Sequence, residues 1–65
     1  MLNVNGLVGT NLNYAVFLAK KYGYEVWIYN QEDGSAKKEN NENEPTKGKL
    51  TIRHLKGVVQ KVKLG

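Results

Sequence analysis

The residues that could carry out chemistry are few, and they are not grouped in the pattern of a catalytic site. His54 is the only histidine, and the chain has no cysteine. One histidine cannot supply a metal site alone, and cysteine-based zinc sites and disulfides are excluded. Ser35 has no base near it in the sequence that could activate it as a nucleophile. We therefore predict that the protein is not an enzyme and uses no cofactor or metal.

Two other motifs lack the spacing of known ligand-binding loops. Gly6-Leu7-Val8-Gly9 does not have the glycine count or the Lys-Ser/Thr ending that cradle a phosphate. The acids between residues 32 and 44 lack the spacing of a calcium loop. Function is therefore expected to be binding.

The length and composition predict a single domain over residues 1–65. A chain of this size buries only about 60% of the surface that its unfolded form exposes, so a large cofactor pocket is not expected. No apolar run approaches the roughly 20 residues of a membrane-spanning helix. Residues 1–5 lack the charged and apolar regions of a signal peptide. We expect a soluble, intracellular protein that does not enter the membrane.

The charged residues are segregated along the chain, whose net charge is +4. Five of the six acids lie between residues 32 and 44, whereas residues 47–63 carry six basic side chains and no acid. Such a division is found in proteins with an anionic partner, but in a small protein it more often reflects ordinary solvated strand faces. Both interpretations stay open at this point.

Apolar spacing predicts one helix over residues 12–22 and strands over residues 25–29, 50–54 and 58–63. Thr10 or Asn11 can cap the helix, and Gly23 suits its left-handed exit. Residues 55–57 are expected to form a tight hairpin turn, with Gly57 free to take a positive φ. Residues 31–48 contain no large apolar side chain, so we expect a long polar loop that is flexible at least at its tip.

The strand after the helix puts Trp27 and Tyr29 on one face. By alternation that face continues to Thr51 and Arg53, and then to Val59, Lys61 and Lys63 on the last strand. Aromatic and basic side chains together are typical of protein-interaction surfaces, and also of surfaces that bind single-stranded nucleic acid. A third interpretation is structural: residues 1–4 cover Trp27 and seal this side of the sheet.

Five groups of residues follow one another in a recognisable order: Leu7-Val8-Gly9 with Leu12 and Ala15, Tyr24-Glu25-Val26-Trp27-Ile28, Lys49-Leu50-Thr51-Ile52-Arg53, Gly57-Val58-Val59 with Val62, and the final Gly65. In this order they resemble the potato inhibitor I family of serine-protease inhibitors. The resemblance implies an α+β fold in which a single helix packs on a small mixed three-stranded sheet. It also implies a long exposed loop between the two parallel strands.

In that family the loop binds the protease, so the resemblance implies that residues 31–46 form the protease-contact loop. Lys37 or Lys38 would suit a trypsin-like pocket, and counting back from Lys47 puts the scissile bond near Asn41. Lys47 and Lys49 occupy the positions of two basic residues that brace the loop. The connection is several residues longer than in the family, and the tryptophan before the Leu-Val-Gly motif is replaced.

The resemblance leaves a second hypothesis beside inhibition. The same fold is expected to serve as a structural or interaction subunit of a larger assembly, docking through a face that contains Trp27, Tyr29, Arg53 and Lys61. A basic nucleic-acid-associated module is a further alternative. The expected partner is therefore a protease or an assembly subunit, with nucleic acid as the less favoured choice.

Overall fold

The computed structural model describes residues 2–39 and 47–65 as an α+β domain. A short 3-10 helix precedes one α-helix and four strands among these residues. The elements are the 3-10 helix Val4–Leu7, α1 Leu12–Lys21, β1 Glu25–Asn30, β2 Ala36–Lys38, β3 Lys49–Leu55 and β4 Val58–Leu64. The predicted helix and the three predicted strands are therefore present, with bounds that differ by at most one residue at any end.

The helix α1 begins at an asparagine cap and ends at a glycine. The Asn11 side-chain oxygen accepts a hydrogen bond from the Asn13 N–H at 2.8 Å, which satisfies one of the free donors of the first turn. Gly23 has a φ of +86°, the left-handed conformation that commonly ends a helix. Ala15 and Ala19 are fully buried. These small side chains let the helix backbone approach the sheet closely.

The sheet has the strand order β2-β1-β3-β4. The central strands β1 and β3 are parallel, with Val26 opposite Leu50 and Ile28 opposite Ile52. The outer strands β2 and β4 each run antiparallel to their neighbour. The prediction of three strands is wrong, because the short strand β2 adds a fourth at the edge of β1.

The strand β2 forms because a five-residue turn folds the chain back onto β1. The Asn30 side chain accepts a hydrogen bond from the Glu32 N–H at 2.9 Å, and the Asn30 N–H donates to the Ser35 carbonyl at 2.8 Å. Gly34 adopts a φ of +74° within this turn. Backbone pairing at the edge therefore gives structure to residues 31–39, which contain no large apolar side chain. The prediction of a flexible tip falls on residues 40–46, which lie outside the described residues.

The core lies between α1 and one face of the sheet. Its buried members are Leu7, Ala15, Ala19, Val26, Leu50, Ile52 and Val59. Four of these come from β1, β3 and β4, so every long strand contributes to a single apolar layer. Leu2 and Val4 pack against the same layer. The interpretation that residues 1–4 cover Trp27 is therefore not supported by the described residues 2–4, which serve the helix side instead.

The hairpin between β3 and β4 shows that Val59 does not share the face of Trp27, so this part of the prediction is wrong. Arg53 lies opposite Lys61, but His54 lies opposite Val59, so Gln60 is an extra residue in β4. This bulge reverses the alternation, and Val59 is only 1% exposed, in the core. Lys61 and Lys63 keep the predicted side. The turn itself has φ values of +50° at Lys56 and +83° at Gly57, as two-residue hairpins of type I′ require.

The start of β4 is covered by the segment that leads into α1. The Gly9 N–H donates to the Val59 carbonyl at 2.8 Å, and the Val59 N–H donates to the Thr10 carbonyl at 2.9 Å. The Leu12 N–H donates to the Gly57 carbonyl at 2.8 Å. These bonds tie the helix entrance to the hairpin, and among the described residues they leave only the second half of β4 as an open edge.

Candidate functional site

One face of the sheet carries no helix among the described residues, and we call it the open face. It is formed by alternate residues of all four strands. Its aromatic and polar members are Trp27, Tyr29, Thr51, Glu25, Lys38, Lys49, Arg53, Lys61 and Lys63. Five cations thus stand against one carboxylate on the described part of this face. Lys63 lies there as predicted, whereas Lys38 and Lys49 were not predicted as members, although strand alternation and the correct register would have placed them there.

Trp27 lies at the centre of a polar group on the open face. The Lys49 ammonium lies 5.1 Å from the centre of the Trp27 ring, a cation–π distance. The Trp27 indole N–H donates to the Glu25 carboxylate at 2.8 Å, and Lys38 Nζ lies 3.6 Å from the other oxygen of that carboxylate. The hydrogen bond from Trp27, followed by the charge of Lys38, lowers the pKa of Glu25. Trp27 is thereby fixed in one orientation while staying partly exposed.

A second aromatic–cation pair follows two residues along β1. The Arg53 guanidinium carbon lies 5.0 Å from the centre of the Tyr29 ring. On its other side Arg53 borders a shallow depression of about 170 Å³, lined by Thr51, Arg53, Lys61 and Lys63. A depression lined by three cations and one hydroxyl has the chemistry to hold an anionic group.

The base of the polar loop is the second candidate site. The Glu39 N–H donates to the Val26 carbonyl at 2.9 Å, and the Lys47 N–H donates to the Gly23 carbonyl at 2.7 Å. Residues 39 and 47 are therefore both fastened to the stretch 23–26. The Gly65 N–H adds a bond to the Lys49 carbonyl at 2.8 Å, which ties the end of β4 to the start of β3.

Two of the three predicted protease-contact residues lie in β2, and the third lies outside the described residues. Lys37 and Lys38 lie in β2, on opposite faces of the sheet. Lys37 Nζ lies 2.9 Å from the Glu39 carboxylate, and the hydrogen bond from Lys37 is the largest cause of the lowered pKa of Glu39. The Lys37 side chain is still 74% exposed. Asn41 lies outside the described residues.

The two predicted bracing lysines occupy different environments. Lys47 runs beside the helix exit, since a Cβ built at Gly23 would lie 3.8 Å from Lys47 Cγ. Lys49 is directed onto the Trp27 ring. Their action on the loop stays a prediction, because residues 40–46 are not among those the structure describes.

The residues considered first for chemistry have structural contacts. His54 Nδ1 accepts a hydrogen bond from the Gly57 N–H at 3.2 Å and so helps to hold the β3–β4 turn. The Ser35 N–H donates to the Asp33 carboxylate at 2.9 Å in the β1–β2 turn. Within residues 2–39 and 47–65, no three histidine, aspartate or glutamate side chains are grouped to hold a metal ion.

The helix side carries a groove of mixed polar and apolar lining that was not predicted from the sequence. Its volume is about 320 Å³, and it is lined by Leu2, Asn3, Gly6, Leu7, Tyr14, Leu18 and Tyr22. Tyr14 and Phe17 on α1 are 53% and 62% exposed. The spacing of Tyr14, Phe17 and Leu18 on the helix could have indicated this second apolar stripe beside the core-facing alanines.

Comparisons with known proteins do not assign the chain to a family. No protein-family model, curated protein or solved structure matches the chain. Of the helices in the described part of the chain, none has the length and apolar character needed to cross a membrane.

Proposed function

We propose that the protein is a small inhibitor-like binding protein that presents residues 31–46 to a serine protease. These residues belong to the polar connection between β1 and β3. The observation that carries the proposal is the closed base of this connection. Glu39 and Lys47 are both hydrogen-bonded to residues 23–26. Fixing the ends of a binding loop lowers the conformational entropy that is lost when a partner binds, and this favours tight association.

The topology supports the same proposal. A helix packs behind two parallel strands, the polar connection joins those strands, and an antiparallel strand closes the sheet. This is the order of elements that the resemblance to the potato inhibitor I family implies. The additional strand β2 is a departure from that expectation, and it takes up part of the extra length of the connection.

The strand β2 offers a substrate-like backbone at the edge of the sheet. The backbone bonds from Asn30 to Ser35 and from Glu39 to Val26 show that the main-chain groups of residues 35 and 39 point toward β1. By antiparallel alternation the main-chain groups of Lys37 also point toward β1. Those of Ala36 and Lys38 point to the outer edge of β2. Enzymes and other partners can bind such an edge by adding a strand to it. Lys38 is therefore the residue that we assign to a trypsin-like pocket.

The ion pair between Lys38 and Glu25 does not prevent this role. Its atoms are 3.6 Å apart, and the Lys38 side chain is 39% exposed. Exposed pairs of this kind contribute about 0–1 kcal/mol. An acidic specificity pocket would replace the Glu25 carboxylate as the partner of Lys38 at little cost.

The test is incubation of the protein with trypsin and with subtilisin while residual enzyme activity and the intact mass are recorded. We expect a stoichiometric loss of activity with the chain intact. Lys38→Ala should weaken trypsin inhibition at least about tenfold, which corresponds to about 1.4 kcal/mol. Lys37→Ala should weaken it less, and Lys56→Ala in the distant turn serves as the control. Rapid cleavage between residues 36 and 47 with full enzyme activity would refute the proposal.

A second function, docking within a larger assembly, is favoured by a separate observation. The open face has two ordered aromatic–cation pairs, Lys49 with Trp27 and Arg53 with Tyr29, although neither is needed to fill the core. Surfaces of this composition are typical of binding hot spots. The double variant Trp27→Ala, Arg53→Ala should lose a partner that co-purifies with the wild-type chain. An unchanged set of partners would count against this face as the docking surface.

A further inference from the structure

We propose that the open face binds single-stranded nucleic acid, with a backbone phosphate in the depression beside Arg53 and neighbouring bases against Tyr29 and Trp27. This binding is independent of protease inhibition, because its principal residues lie on β1, β3 and β4 and not on the polar connection.

The depression is built by direct cross-strand pairs. Arg53 lies opposite Lys61, and Thr51 lies opposite Lys63. Like charges directly opposite each other in a sheet are destabilising. None of the ion pairs within residues 2–39 and 47–65 relieves the repulsion between Arg53 and Lys61. An arrangement that breaks a local rule of sheet design is expected at a functional site, and an anion between the two cations would remove the conflict.

The side chains around the depression suit a phosphate group. Arginine and lysine donate charge-assisted hydrogen bonds to phosphate oxygens, and the Thr51 hydroxyl adds a neutral donor. Among the described residues, no acidic side chain lines the depression. Since Arg53 also lies over the Tyr29 ring, a phosphate in the depression would be adjacent to an aromatic surface.

The aromatic residues decide between nucleic acid and a purely acidic partner. Trp27 and Tyr29 are two residues apart on β1, which corresponds to about 6.6 Å along the strand. Both are partly exposed, and each has a cation over its ring. Unpaired bases stack on aromatic side chains and on arginine, while nearby cations neutralise the backbone. An acidic peptide would use the cations but would leave the aromatic pair without a role. Duplexes keep their bases stacked inside, so a single strand is the better match.

The only tryptophan of the chain makes the test specific to this face. Trp27 fluorescence is titrated with an oligothymidylate of about ten nucleotides, with an abasic oligomer of the same length, and with polyglutamate. We expect oligothymidylate to quench Trp27 and to bind more tightly than either other polymer. Its affinity should fall with salt at a slope of about −2 in log–log form, as contact between three cations and a single strand predicts.

Matched variants separate the phosphate contact from the stacking contact. Arg53→Gln with Lys61→Gln should lower the affinity for oligothymidylate about tenfold or more. Lys20→Gln with Lys21→Gln makes the same change in net charge on exposed helix residues and should lower it much less. Tyr29→Leu should weaken binding of oligothymidylate and leave the abasic oligomer unaffected. Thermal unfolding of each variant confirms that the domain is folded.

Three results would overturn the inference. Equal affinity for all three polymers would mean that the face binds any polyanion, and stronger binding of polyglutamate would point to an acidic protein. Equal loss of affinity in the Lys20/Lys21 control would mean that net charge alone drives the binding. Because none of these variants changes Lys38, their trypsin inhibition should match that of the wild type, so the two proposed activities can fail separately.

Discussion

The two faces of the sheet are made by the same strands but have opposite chemistry. On the helix side Val26, Leu50 and Ile52 are fully buried and packed on the alanines of α1. On the open face Trp27, Thr51 and Arg53, each adjacent in sequence to one of those core residues, stay partly or fully exposed. Strand alternation thus assigns stability to one residue and surface chemistry to the next. Substitutions at neighbouring positions should therefore have very different consequences.

The largest expected effect is the loss of a core side chain. Ile52→Ala should lower the free energy of unfolding by about 2–5 kcal/mol, because it removes buried methyl groups and leaves a cavity. Thr51→Ala, at the next position on the open face, is the matched control and should change stability by about 0.5 kcal/mol or less. Urea denaturation measures both. Similar losses in the two variants would contradict the division of the sheet into a core face and an open face.

The β3–β4 turn fixes which residues reach each face, and it should be the next most sensitive element. Gly57→Ala should cost about 1–2 kcal/mol, because position 57 has a φ of +83° that a side chain strains. Lys56→Gly should be neutral or stabilising by up to about 1 kcal/mol, since Lys56 already has a positive φ. Thermal unfolding checks the two variants. The reverse order of stabilities would exclude a type I′ turn.

The aromatic–cation pairs of the open face should contribute less. Lys49→Gln should lower stability by about 0.5–1 kcal/mol through loss of the contact with Trp27, and Lys49→Arg should retain most of it. A double-mutant cycle with Trp27→Leu isolates the interaction from the effect of net charge. A coupling free energy of zero would show that the two side chains do not interact in solution.

The smallest effect concerns the acid dependence of Glu25. Its pKa is lowered below 4.5 mainly by the hydrogen bond from Trp27, so its carboxylate stabilises the folded state above the unfolded pKa. This contribution is lost as the pH falls from about 4.5 through the folded pKa. Glu25→Gln should therefore be less stable than the wild type at neutral pH and approach it in acid. A pH series of thermal unfolding curves measures the difference, and a constant gap across the series would contradict the assignment.

The sequence predicts the elements that have an apolar period and misses those built by backbone pairing. The helix and the three long strands follow from regular spacing of buried side chains. The strand β2 is exposed at all three residues, so no period marks it. Its one local signal is the pair Asp33-Gly34, a dipeptide frequent in hairpin turns.

The candidate site was predictable only where the strand register was simple. Trp27, Tyr29 and Arg53 share a face as alternation predicts, because β1 and β3 pair without a shift. Val59 does not, because the bulge at Gln60 depends on how β4 meets β3 and leaves no mark in the local pattern. The contact between Lys49 and Trp27 likewise depends on the parallel register, which the spacing of either segment does not reveal.

The uncovered half of β4 affects how the protein behaves at high concentration. Residues 9–12 protect the start of that strand, so within residues 2–39 and 47–65 the outer edge of β4 is uncovered along residues 60–64. If two copies paired these edges in antiparallel fashion about Val62, Lys61 of each copy would lie opposite Lys63 of the other. Lysines at exposed edges are a recognised protection against sheet-to-sheet aggregation. The same side chains that line the anion-binding depression should therefore keep the free protein monomeric and resistant to fibril formation.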